Sequence, residues 1–339
     1  MSRHITPEQV ETYRRQGFLL VENFFDADEL ARWRRATDDA VERRLAQLER
    51  GRGANGSSGK SLRSRLKDKI GKDNSDRLRG ALRSVLGKRL VPIGFNGALD
   101  TNQGDLDSYY AKVYIQCIHL AAESEMLREL IVDPELGEAA AVLMGADGVR
   151  LYHDQAIYKP ALGNPTAWHL DRPYWSFSSP MAMTMWVALE DATLSNGCMH
   201  YIPGSHLTAT DKNLSIDDDF SGLFKLYPEW KKVNPVPCPA PAGSVVFHNG
   251  GTAHGAGVNM TNKPRKAFAV AFMPEGATFN GNKDVLPTEY FRRLRVGDLL
   301  NDERHHPLIW SKPKVARPGL LDTSEANDAD AHLPIAAAM

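Results

Sequence analysis

Cysteine is scarce in this chain. Three residues, Cys117, Cys198 and Cys238, are spread through 339 positions with no CxxC pair. An odd, widely spaced set supports neither a disulfide framework nor a cysteine zinc site, and it fits a reducing compartment. Long apolar runs are also missing. No window approaches the 18 or so residues that a membrane span needs, and the polar opening MSRHITPEQVETYRRQG lacks the apolar core of a secretory leader. The expectation is a soluble, cytoplasmic protein. There is no internal repeat, and almost no net charge, the formal balance being −1. That balance hides an asymmetry. Residues 50–90 carry thirteen Lys or Arg against three Asp, so the rest of the chain is acidic. The stretch has no aromatic platform and no helix-turn-helix pattern, which argues against nucleic acid. It reads as a basic, partly mobile insertion, either simply solvated or greeting an anionic small-molecule substrate.

What the chain does contain is a split cluster. His169-Leu170-Asp171 sits inside AWHLDRPYW, a second histidine follows at His254, and Arg265 comes eleven residues later. Strand alternation would point His169 and Asp171 to one side and Leu170 to the other. The run GSVVFH (243–248) reads as a short strand, and the glycine-rich NGGTAHGAG after it lets the backbone turn around His254. RKAFAVAF alternates as a half-buried strand, with Arg265 at its start as a fork for a carboxylate. Two imidazoles and one carboxylate can occupy one face of an octahedral Fe(II) and leave the other open to a cosubstrate and oxygen.

Four stretches, in order, make the chain recognisable: ITPEQVETYRRQGFLLVENFFDADEL, YHDQAIYKPALGNPTAWHLDRPYW, TMWVALEDATLSNGCMHYIPGSH and AGSVVFHNGGTAHGAGVNMTNKPRKAFAVAF. It resembles the phytanoyl-CoA dioxygenase family of Fe(II)- and 2-oxoglutarate-dependent oxygenases from about residue 5 to about residue 275. The resemblance implies iron ligands at His169, Asp171 and His254, with Arg265 holding the remote carboxylate of 2-oxoglutarate. It also implies cosubstrate contacts at Gln155, Trp186 and Lys112, and Thr184, which shares a strand face with Trp186, reads either as a hydroxyl contact to 2-oxoglutarate or as an ordinary strand threonine. The reaction implied couples O2 and 2-oxoglutarate to oxidation of an unactivated C–H bond, with release of succinate and CO2. Relatives that halogenate lack the carboxylate ligand, so Asp171 favours hydroxylation over halogenation, with desaturation, cyclisation and epoxidation left open. Two other readings stay open: a non-catalytic protein that kept the fold, and an isomerase-type or sugar-binding cupin barrel.

The predicted elements fit that family. Thr6 caps a helix over PEQVETYRRQG, GFLLVENFF is a strand, and Asp26 or Asp28 opens a long helix through ADELARWRRATDDAVERRLAQLE. ESEMLRELIVD and PELGEAAAVLMG are short helices. Strands follow as VRLYHDQAIYKP, AWHLDRPYW, MAMTMWVALED, GCMHYIPG, GSVVFH and KAFAVAF, and PTEYFRRLRVGDLL closes as a helix. The fold expected is mainly β with flanking helices, a double-stranded β-helix (jelly roll, cupin-like). Residues 1–311 would form one catalytic domain and 312–339 a disordered tail. His200 and His206 read as structural. His248 is expected to hydrogen-bond near the site, and His153 shares the alternation of Gln155. Trp168, Tyr174, Trp175 and Phe177 flank the HxD motif as core or as pocket wall.

Overall fold

The computed structural model describes residues 3–53, 114–212 and 220–313, with the side chains of 48–53 left out. Lys112, nearly all of the basic stretch and all but the first two residues of the expected tail lie outside the described residues.

Helix α1 (Pro7–Gln16) starts on a capping box, in which Thr6 accepts from the Gln9 amide and the Gln9 side chain returns to the Thr6 amide. It stops at Gly17, whose φ of 84° only glycine adopts readily. Strand β1 (Phe18–Val21) is shorter than the run GFLLVENFF suggests. Asn23 turns at φ 52°, and Phe24 and Phe25 leave the strand to pack on each other and on Trp33. Helix α2 (Ala27–Gly53), strand β2 (Ile115–Ile118), and helices α3 (Glu125–Ile131) and α4 (Pro134–Met144) come next.

Nine further strands complete two antiparallel sheets: β3 (Gly148–Lys159), β4 (Thr166–His169), β5 (Met183–Ala188), β6 (Met199–Tyr201), β7 (Val236–Cys238), β8 (Val245–Asn249), β9 (His254–Ala256), β10 (Arg265–Pro274) and β11 (Leu308–Ser311). The larger sheet runs β1-β8-β5-β10-β3-β11, with β2 also on β3, and the smaller runs β4-β9-β6-β7. The fold is therefore mostly antiparallel β with flanking helices, as expected. β2, β7, β9 and β11 were not anticipated, being three or four residues long, and β9 lies in the segment read as a glycine-rich turn. The closing helix was overestimated. Only Thr288–Phe291 is helical, because the chain tightens into i to i−3 bonds after Tyr290 and reverses at Gly297, φ 96°.

Strand alternation decides which side chains meet the site. On β10, Phe268, Val270 and Phe272 face outward into the helices, where Phe268 lies 5.3 Å from the Trp33 ring. Ala267 and Ala269 face inward with Trp186, Ala188 and Val246, against Met199, Tyr201 and Ala256 of the smaller sheet. The inner residues of β10 are small, so the space between the sheets is left for something else. Phe268→Ala is expected to cost about 3 to 5 kcal/mol, read as a lower urea midpoint at unchanged slope. Among the described residues, no helix is long and apolar enough to cross a membrane.

Candidate active site

His169 ends β4 and His254 begins β9, and these two residues are direct cross-strand partners. Their rings lie 4.1 Å apart between centroids. Each ring is anchored in the same way. Nδ1 of His169 donates to the Ala167 carbonyl at 2.8 Å and Nδ1 of His254 to the Thr252 carbonyl at 2.9 Å. A proton fixed on Nδ1 leaves the Nε2 lone pair of each ring free for a metal. Oδ1 of Asp171 stands 3.8 Å from Nε2 of His169 and 3.7 Å from Nε2 of His254. All three candidate ligand atoms lie within 4.8 Å of one another.

Asp171 does not reach this position by strand alternation. β4 stops at His169, and Asp171 has helical backbone angles, φ −79° and ψ −47°. The amides of Asp171 and Arg172 both donate to the Gly250 carbonyl, which bends the chain there, and Pro173 brings no amide to continue a ladder. Leu170 does point away, into a cluster with Ile202 and Trp230. Gly250 matters through close approach, since its φ is not in the left-handed region. A Cβ there would sit 2.6 Å from the Trp175 ring. Gly250→Ala is expected to lower stability by about 1 to 3 kcal/mol through overpacking, and to weaken metal binding because its carbonyl aims Asp171. Urea denaturation and a Co(II) titration would read the two effects.

The other oxygen of Asp171 is held. Thr184 donates to Oδ2 at 2.8 Å and His248 Nε2 donates to it at 3.2 Å, while Tyr201 OH donates to Nδ1 of His248 at 3.2 Å. These contacts leave Oδ1 for the metal and fix the carboxylate plane. Burial works against ionisation of Asp171, yet the imidazole of His254 and the hydrogen bond from His248 outweigh it and hold the carboxyl below its usual range. Burial is also the main cause that lowers both ligand imidazoles, each to about 4, so they are neutral donors. His153 and His306 are lowered by burial too, to about 3 and about 4. Between the ordinary value of 6.5 and about 4 the unfolded chain therefore binds more protons at these four positions than the folded chain does. Stability of the metal-free protein is expected to fall as pH drops through that window, which denaturant midpoints measured from pH 7 to pH 4 would show.

Arg265 opens β10 and is 2% exposed. Its guanidinium lies over the Trp186 ring, 5.1 Å from the centroid, and Nη1 donates to the Gly197 carbonyl at 2.9 Å. Nε has no hydrogen-bond partner, and no carboxylate among the described residues pairs with it. Burial lowers it to about 10, so it remains a cation. A buried, under-satisfied guanidinium is costly unless an anion completes it. Trp186, which carries the guanidinium, and Thr184, which carries the Asp171 carboxylate, are two residues apart on one face of β5. Lys159 pairs with Arg265 across β3 and β10 and is also buried, its Nζ donating to the Asn164 carbonyl at 2.6 Å.

A cavity beside the cluster is lined by Asp171, Thr184 and Gln155 together with His153, Tyr174 and Trp175. Gln155 is hydrogen-bonded to Gln116, another wall residue. Trp186 is not on this cavity and instead supports Arg265. Thr184 reaches Asp171 directly. His200 and His206 stand apart from the cluster and bond backbone carbonyls, His200 to Cys198 and His206 to Arg14. Trp168 packs on Phe224, and Phe177 on Tyr152 and Trp175. Sequence reasoning missed Gln116, Asp284 and Val285, which also line the cavity. Nothing in the loop NGNKDV marks Asp284 as a wall residue.

Two imidazoles and a carboxylate converging on one point of a jelly roll, with a recessed arginine behind them, are the donor set of non-haem iron oxygenases. The chain belongs to the phytanoyl-CoA dioxygenase (PhyH) family, whose model matches residues 13–267. Phytanoyl-CoA dioxygenase domain-containing protein 1 of Mus musculus is 23% identical over 282 residues, 81% of this chain and 92% of the mouse protein. Among solved structures, the non-haem α-ketoglutarate-dependent carbocyclase SnoK from nogalamycin biosynthesis aligns with a TM-score of 0.63 at 24% identity, covering 91% of this chain and 97% of SnoK. The epimerase SnoN, solved with Fe3+, α-ketoglutarate and nogalamycin RO, aligns at 0.57 and 22% identity, covering 89% and 97%. The two structures share this fold.

Proposed function

We propose that the protein is a non-haem Fe(II)- and 2-oxoglutarate-dependent dioxygenase that oxidises an unactivated C–H bond of a small molecule, with hydroxylation as the outcome. The observation that carries this reading is the convergence of His169 Nε2, His254 Nε2 and Asp171 Oδ1, together with a buried guanidinium whose Nε has no partner. His169, Asp171 and His254 would hold the iron. Fe(II) with bound 2-oxoglutarate supplies the oxygen activation, at the cost of decarboxylation to succinate and CO2. The chain supplies the geometry. Thr184 and His248 orient the Asp171 carboxylate, and Arg265, backed by Trp186, binds the remote carboxylate of the cosubstrate as a bidentate fork. Gln155 contributes a polar wall beside Asp171, and Lys112 would be a further cosubstrate contact. The buried aromatic surround of Tyr201 and Trp175 excludes water from the reacting face.

The test is oxygen-dependent formation of succinate from 2-oxoglutarate by the full chain with Fe(II). Turnover that needs both O2 and Fe(II) is expected. Absence of succinate under aerobic, iron-replete conditions would overturn the oxygenase reading in favour of a binding or isomerase-type barrel. Product mass decides the outcome, since a hydroxylated product gains one oxygen and a cyclised product loses two hydrogens.

A further inference from the structure

The larger sheet is irregular at one point only along the pairing of β3 with β10. Ala271 faces His153 and Phe272 faces Leu151, so Tyr152 is the extra residue of a β-bulge. Ordinary alternation would send Tyr152 and His153 to opposite faces. Here Leu151 joins the outer core, while Tyr152 joins the inner cluster with Ala271, Trp175 and Phe177, and His153 lines the cavity beside Asp171. His153 stands level with Ala271, Thr184 and His248, the row that holds the Asp171 carboxylate. The bulge thus turns two consecutive side chains inward, of which His153 lines the cavity and Tyr152 packs behind its wall.

Tyr152 uses its place to hold Asp284. Its hydroxyl is 2.6 Å from Asp284 Oδ2 and is also bonded to Ser176, whose amide donates to it at 2.9 Å. Asp284 occupies the left-handed region at φ 40°, as does His119 at φ 59°, and the His119 ring donates through Nε2 to the Val285 carbonyl at 2.7 Å. Non-glycine residues held in that region mark sites that the surroundings over-determine. The chain is therefore clasped from two sides to present one carboxylate on the cavity wall. Near it, His153 is 6% exposed and its Nδ1 has no hydrogen-bond partner. Among the described residues that line the cavity there is no Lys or Arg.

We infer that Asp284 is a specificity determinant that receives the hydrogen of a hydroxyl or amine on the primary substrate, with the His153 ring beside it. An anionic substituent directed at Asp284 is disfavoured, because no Lys or Arg among the described residues lines the cavity to compensate the carboxylate. That departs from the anionic substrate suggested by the basic stretch, which lies outside the described residues. The inference rests on the oxygenase reading for the word substrate, but the wall itself can be probed without turnover.

The experiment measures binding of cyclohexanol, cyclohexylamine and cyclohexanecarboxylate by ligand-observed NMR to the full chain saturated with Zn(II) and 2-oxoglutarate, so that the metal site and Arg265 are not open to the carboxylate probe. It compares wild type with Asp284→Gly and Asp284→Asn, both of which tolerate the left-handed backbone. Wild type is expected to bind the alcohol and the amine in preference to the carboxylate. Asp284→Gly should weaken both by roughly 10- to 100-fold, the loss of a hydrogen bond to a charged group. Asp284→Asn keeps an acceptor without the charge, so it should retain the alcohol within a few fold and lose the amine. Equal or better binding of the carboxylate by wild type would overturn the inference. So would unchanged binding in Asp284→Gly, or a wild type that binds neither the alcohol nor the amine at their solubility limits. Succinate formation by wild type is scored separately, so failure of the oxygenase reading leaves the binding result interpretable.

Discussion

Asp171→Ala is expected to abolish iron-dependent conversion of 2-oxoglutarate to succinate while the barrel remains folded. Three atoms define the cluster, and Asp171 Oδ1 is the one that lies within 4 Å of both imidazole donors. Without it the site keeps two neutral nitrogens and loses its single anionic ligand, so affinity for a divalent ion should fall by well over 100-fold, more than the roughly 10- to 100-fold typical when only a supporting hydrogen bond is removed. The fold does not depend on this carboxylate, because β4, β9 and their partners are held by backbone ladders and by the Met199, Tyr201 and Ala256 packing. Two further variants grade the effect. His254→Ala should match Asp171→Ala, whereas Thr184→Val keeps all three ligands and should cost only the smaller factor, through a carboxylate that is no longer held at Oδ2. Co(II) titration, circular dichroism and succinate release together make the check. Full activity of Asp171→Ala with added Fe(II) would remove Asp171 from the metal site.

The ligands were legible in the sequence because their identities are chemical, whereas the way they are brought together was not. HxD suggested a strand presenting both side chains, yet Asp171 is turned inward by two amides that share the Gly250 carbonyl, an interaction 79 or 78 residues apart in the chain. Alternation separates Phe268, Val270 and Phe272 from Ala267 and Ala269, since a regular strand obeys a period of two, but the strand is buried on both faces rather than half-buried, because helices cover its outer side. It fails at Tyr152 and His153, where one inserted residue breaks the period and no residue type announces the bulge. Asp284 was invisible for a related reason. Its meaning depends on Tyr152 reaching across 132 positions, and a lone aspartate in a polar loop has no periodicity to read. Short strands such as Val236–Cys238 escaped because three residues carry too little pattern.

Arg265→Ala is expected to raise the 2-oxoglutarate requirement by roughly thirtyfold or more, the lower bound of the 2 to 5 kcal/mol that a truncated buried charge contact typically costs. The guanidinium is placed by Trp186 and by one bond to the Gly197 carbonyl, and its Nε is left without a partner. Arg150, also buried with an unpartnered Nε, is neutralised by Glu275 and Glu303, whereas Arg265 has no carboxylate beside it among the described residues. This one is buried, charged and incomplete, which destabilises the protein until an anion arrives. Two consequences separate a cosubstrate role from a structural one. Stability of the metal-free variant should be unchanged or higher, because removal of the desolvated cation offsets the loss of the Trp186 contact and of the Gly197 carbonyl's donor. Metal affinity should be unchanged, because Arg265 touches none of His169, Asp171 and His254. Arg265→Lys should rescue little, since an ammonium cannot present two parallel donors to a carboxylate. The measurements are the 2-oxoglutarate dependence of succinate formation, Co(II) affinity and Tm of each variant. An unchanged 2-oxoglutarate requirement in Arg265→Ala, or a Tm that falls steeply with it, would return Arg265 to the structural core and leave the remote carboxylate to another cation.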